Sequence, residues 1–138
     1  MRTKNGDANS YKSPDAVNLF DWQRKDAFPA AVNYMKGLIA LRKSEPLFRM
    51  QTTEEITRKM EVLKADYYQI IWQLEDQDSL YYVFFNANGD PIQFEVEEAD
   101  YQVLVRDGMV ELTQPEIWKD KSTITVEGFS TTLIRKVK

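Results

Sequence analysis

Leu80-Tyr81-Tyr82-Val83-Phe84-Phe85 is a run of six apolar or aromatic residues with no polar position on either side of the alternation. A strand with one face in water alternates polar and apolar groups, so this run reads as a central strand covered on both faces. Directly after it, Asn88-Gly89 and Asp90-Pro91 form a strong turn signal ahead of Ile92, Phe94 and Val96. Directly before it, Tyr68, Ile70, Trp72 and Leu74 alternate with Tyr67, Gln69, Ile71 and Gln73. Farther on, Tyr101 to Val105 and Met109 to Leu112 flank Asp107-Gly108 as a hairpin, and Ser122 to Val126 and Ser130 to Val137 supply two more strands. From about residue 61 onward, strands at this spacing with turns between them predict an antiparallel β-sandwich of about seven or eight strands.

Upstream, the period changes. Phe28, Val32, Met35 and Ile39 recur at helical spacing, with Tyr34, Leu38 and Leu41 widening the stripe. Asp26 is placed as the N-cap and Pro29 fits the first turn. Arg42 and Lys43 suit the negative end of the helix dipole, and Pro46 prevents continuation. Thr52 with Glu55 has capping-box spacing and predicts a second, shorter helix to Met60. Residues 1–26 show no period. They mix turn formers with Tyr11, Val17, Phe20 and Trp22, which a disordered tail rarely carries. The predicted class is therefore mainly β, a sandwich preceded by a loop and one long helix.

Composition excludes several chemistries. The 138 residues contain no Cys and no His, which removes thiol nucleophiles, disulfides, Ser-His-Asp catalysis and His- or Cys-ligated zinc. A net charge of −4 offers no basic field for nucleic acid or an anionic membrane. No apolar run approaches the ~20 residues that span a bilayer. No cofactor or metal is expected. The N-terminus has no apolar signal-peptide core, and the compartment stays open between a secreted and a cytoplasmic location.

Arg2-Thr3-Lys4, Asn9-Ser10-Tyr11, Ser13-Pro14-Asp15, Val17-Asn18 and Asp21-Trp22 stand in an order and spacing that resembles the pullulanases, starch-debranching members of the α-amylase family. Tyr34-Met35-Lys36-Gly37-Leu38-Ile39-Ala40-Leu41-Arg42-Lys43, with Pro46 and Phe48-Arg49-Met50, is similar to the last barrel helix and its exit in that family. Phe85-Asn86-Ala87-Asn88 resembles a strand end in its C-terminal sandwich. The match is dense over residues 2–50 and thin after 90. Phe20 departs from it, where Ile is expected before Asp21-Trp22.

The resemblance implies that residues 1–49 are the last βα loop and last helix of a (β/α)8 barrel, with residues 50–138 the C-terminal sandwich. It implies α-1,6 hydrolysis with retention, by two carboxyls ~5–5.5 Å apart across the scissile bond. Those groups come from earlier barrel strands in this family, one beside a His, so no catalytic residue is expected here. Loops after barrel strands line the catalytic face. Asn9, Tyr11 and Asp15 are therefore the expected substrate contacts, while Trp22 is more an anchor than a sugar platform. The implied partners are an α-glucan (pullulan, amylopectin or limit dextrin) and the rest of the barrel. Met1 is read as a boundary inside a longer reading frame. With no barrel wall beside it, the helix stripe should fold onto the sandwich or dimerise. The alternative reading is a free-standing carbohydrate-binding module, with Tyr67, Tyr81 or Tyr101 as its platform.

Overall fold

A strand apolar on both faces must be covered twice, and the computed structural model, which describes residues 11–19 and 21–138, covers it in two different ways. Among the described residues seven strands form: β1 (Met60–Ala65), β2 (Gln69–Glu75), β3 (Leu80–Asn86), β4 (Ile92–Arg106), β5 (Met109–Val110), β6 (Glu116–Val126) and β7 (Ser130–Lys136). They hydrogen-bond in the order β1-β2-β3-β7-β4-β5, with β6 against β4, and every pair is antiparallel.

The sandwich depends on β4. Sequence predicts separate strands before and after Glu97-Glu98-Ala99-Asp100, but one continuous strand runs through. Its second half pairs with β7 on one side (Val103↔Ile134) and β6 on the other (Val103↔Glu116). Its first half pairs with β6 alone, Phe94 opposite Ile124. Register shifts between Glu95 and Ala99, and between Ala99 and Tyr101, separate the halves. Such bulges bend a strand and sharpen its twist. The β4–β6 ribbon thus brings Phe94, Ile124 and Val126 onto Tyr82, Phe84 and Ile134. The Phe84 and Phe94 rings meet edge to face at 6.0 Å. The Tyr101 hydroxyl donates to Glu97 O at 2.5 Å and braces the bend.

The other face of β3 takes a helix. α1 (Asp15–Asn18) and α2 (Arg24–Ala27) interrupt the N-terminal segment, and α3 (Pro29–Ser44) follows, then a 3-10 turn over Pro46–Arg49. Leu41 and Leu47 are buried against Leu74, Tyr81, Val83, Val105 and Leu133, with Tyr34, Leu38 and Phe48 half-buried beside them. Each fully buried Leu contributes about 1.5–3 kcal/mol. Gly37 lets the helix approach, because a Cβ there would lie 2.5 Å from the Val110 Cβ.

Three local expectations need correction. Asp26 lies inside α2 and does not cap α3, whose N-cap position is Phe28 with no side-chain hydrogen bond. The predicted stripe splits: the sandwich takes Tyr34, Leu38 and Leu41, while Phe28, Met35 and Ile39 stay more than half or about half exposed. Asn88-Gly89 turns the chain but closes no hairpin, since β3 pairs with β2 and β7 and never with β4. The chain there crosses from one layer to the other. The Asp107-Gly108 hairpin does form, both residues having the positive φ that a tight two-residue turn needs (51° and 72°). Thr52 caps α4 (Thr53–Lys59) by accepting from Glu55 N at 3.1 Å. The Glu55 carboxylate accepts from Gln51 N, not from Thr52 N, so half of the capping box is present.

Asn86 holds the crossover together. It is 3% exposed, and its Nδ2 donates to Asp90 O (2.9 Å), Glu127 O (3.0 Å) and Val126 O (3.3 Å) while its Oδ1 accepts from Asn88 N (3.0 Å). Asn86→Ala would strand buried carbonyls, at a cost of about 2–3 kcal/mol. The expected outcome is a thermal midpoint lower by roughly 5–10 °C, read by circular dichroism.

The helix–sheet junction carries one polar network. The Tyr81 hydroxyl donates to a Glu45 carboxylate oxygen at 2.5 Å, and the Arg135 guanidinium lies 5.7 Å from the Tyr81 ring centre. Burial, then the Glu45 hydrogen bond, push the Tyr81 phenol up to about 12. The protonated form is the one the fold favours, so its contribution is complete below pH 10 and is lost as pH rises from 10 towards 12. Burial pushes Tyr82 and Tyr101 in the same direction. Stability should therefore fall steeply across that window in denaturant titrations, and Tyr81→Phe should make the fall shallower.

Candidate functional site

The segment before α3 owes its shape to short-range hydrogen bonds. Pro14 O accepts from Val17 N (2.9 Å) and Asn18 N (3.1 Å), which starts α1, and the Asn18 amide returns to Ser13 O at 2.9 Å. Asp21 accepts from Gln23 N at 3.1 Å and opens the turn into α2. Asp, Asn and Ser are the residues whose side chains close such turns. On this frame Tyr11 is 82% exposed, with the Lys12 ammonium 5.9 Å from its ring centre, and Trp22 is 73% exposed. Asp15 is exposed at the start of α1. Of the three expected contacts, Tyr11 and Asp15 thus sit four residues apart on one exposed stretch. Asn9 lies outside the described residues. A ring face and a carboxylate can hold a pyranose by its apolar face and a hydroxyl.

Among the described residues, two cavities of note lie elsewhere. The first, about 510 Å³, opens between α3, the 3-10 turn and the sheet, lined mainly by apolar groups such as Leu38, Leu47, Met60 and Trp72, with Arg42 and Thr131 but no carboxylate. It cannot supply the acid and nucleophile of glycoside hydrolysis. The second, about 470 Å³, is lined by Arg58, Lys59, Glu75, Asp76, Gln77 and Asp78. Its acids have structural partners. Asp76 accepts from Asp78 N and Ser79 N at 3.0 Å and lies 4.0 Å from Lys59, and Asp78 lies 3.7 Å from Lys138. Asp66 and Glu111 are held below the usual carboxylate range, chiefly by the N–H groups of Tyr68 and of Gln114 respectively. That is the wrong direction for a proton donor. Among the described residues no group of three or more acids could hold a metal ion.

The three tyrosines of the module reading separate cleanly. Tyr81 and Tyr101 are core residues, 2% and 0% exposed, and cannot form a platform. Tyr67 is 88% exposed. No sequence pattern marks Phe129, which is 80% exposed at φ 51°; the preceding Gly128 is the only hint of a tight turn.

No family model matches the chain. The chain is 32% identical over 140 residues to the pullulanase of Bacillus subtilis (strain 168), a match covering 97% of this chain and 19% of that protein. Among solved structures it is similar to pullulanase type I from Bacillus subtilis str. 168 complexed with maltose, with TM-score 0.84, 31% identity and coverage of 99% of this chain and 20% of that one. Pullulanase from Bacillus acidopullulyticus superposes with TM-score 0.84 at 26% identity, covering 98% of this chain and 17% of that one. The chain thus spans about a fifth of the length of these relatives.

Proposed function

Because this chain is a pullulanase segment, of the α-amylase family, we propose that it serves a starch-debranching hydrolase as scaffold and cleft rim, without bond-breaking groups of its own. One observation carries this reading: nearly the whole chain, loop, helix and sandwich alike, is similar in sequence and fold to pullulanases. The relatives include a pullulanase complexed with maltose and one complexed with maltotetraose, which favours an α-glucan as the ligand. On this reading residues 1–49 complete a (β/α)8 barrel and residues 50–138 brace it. Asn9, Tyr11 and Asp15 line the substrate cleft, because loops after barrel strands form the catalytic face. The nucleophile and acid of the retaining reaction belong to barrel strands outside this chain.

The chain alone should release no reducing ends from pullulan, and measurable hydrolysis would overturn the proposal. In the polypeptide that carries the barrel, Tyr11→Ala and Asp15→Ala should each raise KM for pullulan about tenfold with little change in kcat, since a uniform binding contact is removed. An unchanged KM in both variants would remove the loop from the cleft.

Burial supports the barrel as partner. Met35 and Ile39 on α3 and Phe28 at its N-cap stay exposed, and the mainly apolar cavity between helix and sheet is open. A barrel wall would cover this surface, and a second copy would do so when the chain is alone. Light scattering of the chain alone should show concentration-dependent association that Met35→Glu with Ile39→Glu abolishes. A strict monomer at all concentrations would count against a need for cover.

A further inference from the structure

Three turns meet at one end of the sandwich. The β1–β2 turn carries Tyr67 and Tyr68, the β3–β4 crossover carries Ala87 to Pro91, and the β6–β7 turn carries Gly128 and Phe129. Ala87 N donates to Tyr68 O at 2.7 Å, and Phe129 N donates to Asn88 O at 2.8 Å. Gln69 and Ser130 are the register partners of Asn86 on its two sides. The backbones of Tyr68 and Phe129 therefore lie two strand spacings apart, roughly 10 Å.

The support beneath these residues is rigid. Asn86 ties the crossover to Val126 and Glu127. Gly128 packs so closely on the crossover that a Cβ there would lie 2.1 Å from Gly89 O. The Phe129 ring lies over Gly89, its edge 3.5 Å from where a Cβ would stand. Despite this support the aromatic groups face water: Tyr67 is 88%, Phe129 80% and Tyr68 48% exposed. The two tyrosines meet edge to face at 4.5 Å. Phe129 also sits in the left-handed region at φ 51°. A bulky side chain there costs about 1 kcal/mol or more, and its own burial does not repay it. Beside the rings, Lys64 hydrogen-bonds Gln69 and lies 3.5 Å from Asp66, a polar rim of nearly balanced charge.

We propose that Tyr67, Tyr68 and Phe129 form a second α-glucan-binding platform, on other elements than Tyr11 and Asp15. Aromatic side chains on turns whose backbones lie roughly 10 Å apart suit two or three consecutive glucose units, whose apolar faces stack while the polar rim takes hydroxyls. A net charge of −4 disfavours anionic ligands and leaves a neutral polysaccharide unopposed. The proposal rests on the α-glucan reading given above.

The test is affinity electrophoresis of the chain through native gels with and without pullulan or amylopectin. Retardation by the glucan is expected, with Tyr67→Ala and Phe129→Gly each weakening apparent binding about tenfold. Phe129→Gly relieves the positive φ, so an undiminished thermal midpoint would show that the fold is intact. No retardation of the parent chain, or equal retardation of the parent and both platform variants, would overturn the proposal. Pullulan hydrolysis by the barrel-bearing polypeptide is measured alongside. Hydrolysis without platform binding sinks the platform alone, whereas absent hydrolysis sinks the reading it rests on.

Discussion

Strand β3 has no face that tolerates water, and this constraint organises the rest. Tyr81 and Val83 point to one side, Tyr82 and Phe84 to the other, and all four are at most 5% exposed. One side needs α3 and the 3-10 turn; the other needs the β4–β6 ribbon. Neither cover forms locally. The ribbon reaches its place only because β4 is long enough to pair with β7 at one end and arch over β3 at the other. The bulges around Ala99 make that arch possible without breaking the strand.

The two covers differ in completeness. The ribbon side is closed by side chains from β2, β3, β4, β6 and β7, with aromatic contacts at about 6 Å between Phe84 and Phe94 and between Tyr82 and Tyr101. The helix side is half covered, since α3 lies over Leu74, Tyr81 and Leu133 but leaves Trp72 and Phe85 at the mouth of a cavity. An apolar surface this large, next to a helix whose second stripe is also bare, fits a body meant to be packed against something else. That asymmetry is the physical link between the fold and the scaffold role proposed for it.

Much of this was legible residue by residue. The helix over Pro29–Ser44, the cap at Thr52, the Asp107-Gly108 hairpin and the strands around residues 70, 83 and 133 all carry short-period signals. β1 does not: a bulge between Val62 and Lys64 breaks its alternation, and as an edge strand it buries little. The four residues Glu97 to Asp100 look like a loop because three are charged, yet they lie within β4 at its bend. In the candidate site, Tyr11 and Asp15 were found through resemblance and lie on exposed backbone. Phe129 had no signal, because its exposure follows from how three turns assemble.

The amino-acid sequence alone determined which segments must be buried, which chemistries are impossible without His or Cys, and which family the chain resembles. These depend on residue type and on periods of two to four positions. The tertiary structure decided which stripe of α3 is covered, that Asn88-Gly89 leads into a crossover and not a hairpin, and that Tyr81 and Tyr101 are core while Tyr67 stays outside. Those outcomes depend on strand order and register between residues far apart in the chain. Alternation fixes that a strand has two faces, but only its neighbours fix which face meets water.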